Sequence, residues 1–265
     1  GHNPGGINLA FYTSVNRYGN SILYRGYTDN GTAITKRHKF APSLFVPVKE
    51  ESKHKAFGGG NLKKIEFPKM SEAREFIDMY DGTSNFKIYG TTNYVHQYIT
   101  DLYPDDVKFN INHINVVNFD IEVASDDGFP TPEEAAYPII SIALKSSKSS
   151  VYQVWGLDTY DFEKTELDMK GELVQYHHCK SETEMLAKFL GYWKKNYPDV
   201  ITGWNSRFFD IPYLVNRITL IGSEEAARSL SPWNMVNVRN VKKMQRELPA
   251  YEIVGIQQAD YLELF

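Results

Sequence analysis

The chain is poor in cysteine, in long apolar runs and in charge of one sign, and each lack removes a class of protein. One cysteine, Cys179, among 265 residues leaves no internal disulfide and no multi-cysteine zinc cluster. No apolar run approaches the roughly 20 residues of a membrane-spanning helix, and the opening GHNPGG has neither the charged nor the apolar region of a signal peptide. A soluble, intracellular protein with no membrane partner is expected. A formal net charge of −4 and a pI near 6.0 argue against a general polyanion binder, while leaving room for a local basic patch or a metal-bridged contact with phosphate. Gly58-Gly59-Gly60 lies near lysines but lacks the G-K-[ST] ending that a phosphate loop needs. There is no internal repeat or low-complexity tract.

Core-forming residues are plentiful, with 42% hydrophobic and 14% aromatic content, enough for one large or two modest domains. From residue 7 to about 48, strand-like runs alternate with the turn signals Tyr18-Gly19-Asn20 and Asp29-Asn30-Gly31, which predicts a β-meander. SEAREFIDMY and YVHQYITDLY predict short helices. No acid pair or nucleophile constellation occurs before about residue 110, so residues 1–110 read as a smaller, β-rich α+β N-terminal domain. From 115 onward the pattern becomes α/β, with strands expected at 115–123, 138–145, 150–156 and 199–203. The clearest helix starts at Ser181: Glu184 follows three residues later as in a capping box, and Met185, Leu186, Phe189, Leu190 and Trp193 fall on one face as core.

Chemistry concentrates in two segments. In NVVNFDIEVAS, residues 115–125, Asp120 and Glu122 alternate with Phe119, Ile121 and Val123, so in a strand the two acids share one face about 6.6 Å apart. Such a pair needs a cation, a shared proton or open water, because like charges otherwise raise a pKa. Two acids alone also fit a solvated strand face. In PDVITGWNSRFFDIPYL, residues 198–214, a buried-type strand breaks at Gly203 and passes through a polar turn into a helix headed by Asp210. A lone aspartate there fits a helix N-terminus. Together, the acidic strand and this loop can converge on one crevice of an α/β sheet, where three acids can hold divalent ions.

F-D-I-E at 119–122 and G-W-N-S-R-F-F-D-I-P-Y at 203–213 resemble the first and second exonuclease motifs of the family B DNA polymerases. The intervening SETEMLAKFLGYW and YPDVITGWN match that family's order and spacing, and the N-terminal meander resembles its tailed-phage replicative branch. The resemblance implies an N-terminal domain over 1–110. It also implies a ribonuclease-H-like exonuclease domain over 111–265, a mixed sheet flanked by helices, ending before its third motif and before any polymerase domain. The implied function is the proofreading 3′–5′ exonuclease region of a phage replicative DNA-directed DNA polymerase. Its mechanism is two-metal hydrolysis, with Mg²⁺ or Mn²⁺ ions about 3.5–4 Å apart activating a water and stabilising the leaving 3′ oxygen. Asp120 and Glu122 are then metal ligands, Glu122 also orienting the water, and Asp210 binds the more loosely held ion. Asn205 holds backbone or the terminal nucleotide, while Phe119 and Phe209 either stack on terminal bases or pack in the core.

The implied partners are single-stranded or frayed DNA 3′ ends, the remainder of the polymerase, and RNA through the N-terminal domain; the implied location is the cytoplasm of the infected bacterium. Two other readings stand beside this one: a nucleic-acid binding fragment without turnover, and a stand-alone RNA-trimming exonuclease of the same superfamily.

His177, His178 and Cys179 adjoin, but neighbours in sequence seldom converge on one zinc ion. Arg239, Lys242, Lys243 and Arg246 form a basic segment, where the phage branch places a strand-separating β-hairpin; a solvated basic face is the alternative. The family's fourth carboxylate, in a tyrosine-x-x-x-aspartate motif, is missing: none of the 18 tyrosines has aspartate four residues on. The histidine-x-x-x-x-aspartate variant occurs at His96 and Asp101, ahead of the first motif and so in the wrong chain order. Three acids therefore make an incomplete site and a slow nuclease, with Asp260, in the strand-like QADYLELF, as the first candidate to complete it.

Overall fold

Alternating apolar residues and tight turns bring the first strands together in chain order. β1 (Phe11–Tyr18), β2 (Ser21–Tyr27) and β3 (Ala33–Lys39) form an antiparallel meander, with every residue of β2 buried. Gly19 turns β1 into β2 at φ 57°, a backbone conformation open to glycine because it has no Cβ. A second small sheet has the order β4-β6-β5, from β4 (Ser43–Pro47), β5 (His54–Lys55) and β6 (Asn61–Glu66). Helices α1 (Met70–Tyr80) and α2 (Tyr94–Leu102) follow, and the Asn93 side chain caps α2 by accepting from the His96 amide. Ile22, Tyr24, Phe40, Leu44, Met70, Tyr94 and Tyr98 share one core.

The computed structural model describes residues 8–83, 86–126, 128–161 and 173–263, and the chain divides into two compact units between Phe109 and Asn110. The second unit is built on a six-stranded mixed sheet of order β10-β9-β8-β7-β11-β14. Its strands are β7 (Val116–Val123), β8 (Ile139–Ser146), β9 (Val151–Gly156), β10 (Leu173–His178), β11 (Val200–Gly203) and β14 (Gln257–Asp260). β7 pairs antiparallel with β8 and parallel with β11, and β11 pairs parallel with β14. Sequence patterning anticipates five of these strands, β14 among them through the strand-like QADYLELF; β10 is an addition, an edge strand whose polar LVQYHH lacks an apolar run. There His177 stacks on Trp155 at 5.1 Å and accepts or donates to Gln153, while Cys179 is buried.

Helix α3 (Glu182–Lys195) starts where the capping box predicts, with the Ser181 hydroxyl accepting from the Glu184 amide at 3.2 Å. Its apolar stripe, Met185, Leu186, Phe189, Leu190 and Trp193, is buried against the sheet. Burial of side chains of this size stabilises by about 1.5–3 kcal/mol each. Helix α4 (Asp210–Ile221) lies next in the chain and is locked to α3 by a bidentate Arg217–Glu182 pair at 2.6 and 2.8 Å. After the short α5 (Glu224–Arg228), β12 (Val236–Lys243) and β13 (Arg246–Ile253) form a separate two-stranded hairpin.

Candidate active site

Strand β7 alternates as its sequence requires. Val117, Phe119 and Ile121 are buried, while Asn118, Asp120 and Glu122 are exposed together on the other face. Of the two roles open to Phe119, the structure has core packing: only 1% exposed, it packs on Phe189 and Trp193 and faces away from the acids, so it has no access to a base. The period-two rule that aligns Asp120 with Glu122 is the same rule that removes Phe119 from their side.

The third acid arrives from 89 residues away. β11 runs beside β7 only as far as the Thr202–Asn118 register and then turns off at Gly203. A side chain at Gly203 would put its Cβ 2.8 Å from the Phe119 carbonyl oxygen and 2.9 Å from Ser206 Cβ, so the close approach requires glycine. Where β11 leaves, the Ile121 amide on β7 loses a strand partner, and Asp210 Oδ1 accepts its hydrogen bond at 3.1 Å. The first residue of α4 thus stands in for the missing strand, which fixes its carboxylate beside the acid face.

Asp210 is 4% exposed and hydrogen-bonds the Asp120 carboxyl. Burial first, and then the Asp120 charge, push its pKa up to about 7, against the pull of the Ile121 N–H toward the ionised form. Two carboxylates in contact cannot both ionise cheaply without a cation, and a hard-oxygen pair of this kind suits a hard divalent ion. Glu122 shares the exposed face but is not gathered with the pair: among the described residues, no group of three or more His, Cys, Asp and Glu side chains is close enough to hold a metal ion.

The loop between Gly203 and Asp210 holds the other residues of interest. Asn205 has φ 54°, a left-handed conformation that asparagine tolerates better than most residues, and its carbonyl accepts from the Phe209 amide at 3.0 Å. Phe209 is half-buried, its ring 5.6 Å from that of Tyr213. Asp260 does not stand with a free carboxylate. It is 1% exposed and its two oxygens accept from the amides of Asn205, Arg207 and Leu262. His96 and Asp101 lie on α2 in the other compact unit.

The basic segment is the hairpin β12–β13. Met244 and Gln245 turn it at φ 47° and 66°, both left-handed as a two-residue hairpin turn requires. Arg239 and Lys242 are exposed on it, on opposite faces by strand alternation, while Lys243 Nζ sits 4.3 Å from the centre of the Phe208 ring. Two exposed aromatics escaped the reading of the sequence: Phe129, 99% exposed on the loop leaving β7, and Trp204, 66% exposed on the loop leaving β11. An aromatic side chain left in water beside a strand end is the signal, and it needs burial rather than sequence to be seen.

A family model described as DNA polymerase family B, exonuclease domain, matches residues 64–265. The chain is 30% identical over 273 residues to the DNA-directed DNA polymerase of Enterobacteria phage T4 and 30% identical over 275 residues to that of Escherichia phage RB69, each alignment covering 96% of the chain. The chain spans about 30% of the length of these two curated relatives. A 119-residue stretch, 45% of the chain, is 29% identical to the DNA polymerase delta catalytic subunit of Candida albicans and covers 11% of that protein.

Proposed function

The chain belongs to the family B DNA polymerases, through their exonuclease domain, and on that footing we propose that it removes nucleotides from the 3′ ends of DNA as the proofreading part of a phage replicative polymerase. The observation that carries the reading is the contact between Asp120 and Asp210, made at the carboxyl ends of two adjacent parallel strands with Glu122 on the same face. In open α/β sheets that position is where ligands bind.

Exonuclease domains of this family are metal-dependent; two Mg²⁺ or Mn²⁺ ions bound there would activate a water and stabilise the leaving 3′ oxygen. The acids of this chain do the holding. Asp120 and Asp210 present paired oxygens, Glu122 orients the attacking water, and Asn205 positions the terminal nucleotide. Phe129 and Trp204 take the stacking role that a buried Phe119 leaves open, since base stacking on exposed aromatics is tolerant of sequence. The three acids are one fewer than the resemblance implies, which makes this sequence by itself a slow nuclease. The substrate is a single-stranded or frayed DNA end, the partner is the rest of the polymerase, and the place of action is the cytoplasm of the infected host.

The test is a 5′-labelled single-stranded DNA with Mg²⁺ or Mn²⁺, beside a matched RNA. A ladder shortening from the 3′ end of the DNA is expected. Tight binding of DNA without shortening would instead favour a binding fragment, and faster loss of RNA would favour an RNA-trimming enzyme.

A further inference from the structure

The loop that delivers Asp210 has little of its own to hold it. Phe209, at the N-cap of α4, makes no side-chain cap bond, and Asn205 holds a left-handed conformation without being glycine. What fixes the loop comes from β14. Asp260 ends that strand opposite Gly203 in the parallel register, and a carboxylate so fully buried is tolerated only where donors converge on it. Three backbone amides do so: Asn205 N to Oδ1 at 2.9 Å, Leu262 N to Oδ1 at 2.9 Å and Arg207 N to Oδ2 at 3.1 Å.

From those two loop residues the chain leads directly to the acid site. The Asn205 carbonyl accepts from the Phe209 amide at 3.0 Å and the Ser206 carbonyl from the Ile211 amide at 2.9 Å, so the residues on both sides of Asp210 hang from the segment Asp260 holds. Just beyond β14, Glu263 adds a second tie through a two-pronged pair with the Arg207 guanidinium at 2.9 and 3.0 Å. Three amides take most of the roughly four acceptor sites of this carboxylate, and at 1% exposure what is left on Oδ2 is buried, so the geometry favours holding the loop over binding a fourth metal ion.

We infer that Asp260 is a positioning residue of the nuclease site: it clamps residues 205–207 and thereby sets the Asp210 carboxylate against Asp120 and the Ile121 amide. The inference rests on the nuclease reading, so its test includes two measurements that do not depend on cleavage. Asp260→Ala and Asp260→Asn are compared with the unchanged chain and with Asp120→Ala in three assays. These are Mn²⁺ binding followed by electron paramagnetic resonance, amide hydrogen exchange over 203–211, and cleavage of a single-stranded DNA across a Mn²⁺ series.

Both Asp260 variants should bind Mn²⁺ more weakly and exchange faster at Asn205 and Arg207. A small displacement of a reacting group can cost up to 10²-fold in rate, so a fall in kcat of about ten- to a hundredfold is expected, with KM for DNA within about twofold of its starting value. The Asn variant keeps one acceptor oxygen and serves if the Ala variant does not fold. Faster exchange with unchanged Mn²⁺ binding and kcat would reduce Asp260 to a purely structural role and overturn the inference. Lost Mn²⁺ binding with the Asn205 and Arg207 amides still protected would overturn it in the other direction, making Asp260 a ligand. If the unchanged chain cuts nothing, the nuclease reading fails, while Mn²⁺ binding and exchange still decide whether the clamp acts on the metal-binding acids.

Discussion

Replacing Asp210 with asparagine should stabilise the metal-free protein, and by an amount that grows with pH. The wild-type carboxyl has its pKa pushed up to about 7 by burial and by Asp120, against an ordinary value near 3.9 in an unfolded chain. Between those two values the folded protein keeps a proton that the unfolded chain has released. Stability therefore falls as pH rises through that window and levels off above it. The span is about three pH units at roughly 1.4 kcal/mol each, so the full penalty at pH 8 is roughly 4 kcal/mol. Asparagine matches the protonated carboxyl in shape: its oxygen can still accept from the Ile121 amide, and its NH₂ can donate to Asp120. Thermal unfolding in EDTA, followed by circular dichroism from pH 5 to 8.5, reads the difference. The variant should gain on the wild type as pH rises to about 7 and hold that gain above it, by roughly 8–16 °C at pH 8 given about 2–4 °C per kcal/mol for a domain of this size. Added Mn²⁺ should stabilise the wild type and narrow the gap. A difference that does not change with pH, or a variant less stable at pH 8, would refute the claim that Asp210 is a strained acid awaiting a cation.

Three further outcomes follow from particular contacts. Gly203→Ala places a methyl 2.8 Å from the Phe119 carbonyl, and overpacking of this kind should cost about 1–3 kcal/mol in denaturant unfolding and slow cleavage with it; an unchanged midpoint would show that β11 can move aside. Arg239→Ala with Lys242→Ala should weaken single-stranded DNA binding and flatten the slope of log Kd against log salt by about 1.4 for two lost phosphate contacts; an identical slope would return the hairpin to a solvated basic face. Phe129→Ala or Trp204→Ala should weaken DNA binding by about 1–3 kcal/mol per lost stacking contact, read as a rise in KM; unaltered KM would leave the terminal bases with some other neighbour.

What could be read from the sequence was whatever obeys a local period. Asp120 and Glu122 share a face because strands repeat every two residues, and Ser181 with Glu184 marks the start of α3 because a capping box is a three-residue signal. The meander of the first unit was legible for the same reason, its turns marked by glycine and asparagine. Phe119 was ambiguous because a buried and a stacking phenylalanine look alike until the opposite face of β7 is seen to meet Phe189 and Trp193. Asp260 looked like a spare acid, since two of its three amide donors come from a loop more than 50 residues earlier in the chain and are brought to it only by the β11–β14 register. Strand β10 went unseen because parallel pairing at a sheet edge demands little apolar patterning. Phe129 and Trp204 carry no periodic signal; only their exposure distinguishes them from core aromatics.

If the face carrying Asp120 and Glu122 is where DNA is cleaved, the double variant Asp120→Ala with Glu122→Ala shows it most directly. Both side chains are exposed, so the fold should survive their removal, which circular dichroism verifies. On a 5′-labelled single-stranded DNA with saturating Mn²⁺, the wild-type chain should produce a ladder that shortens from the 3′ end and the double variant should leave the substrate at full length. A folded double variant that still shortens the DNA in a metal-dependent way would place the chemistry elsewhere in the molecule.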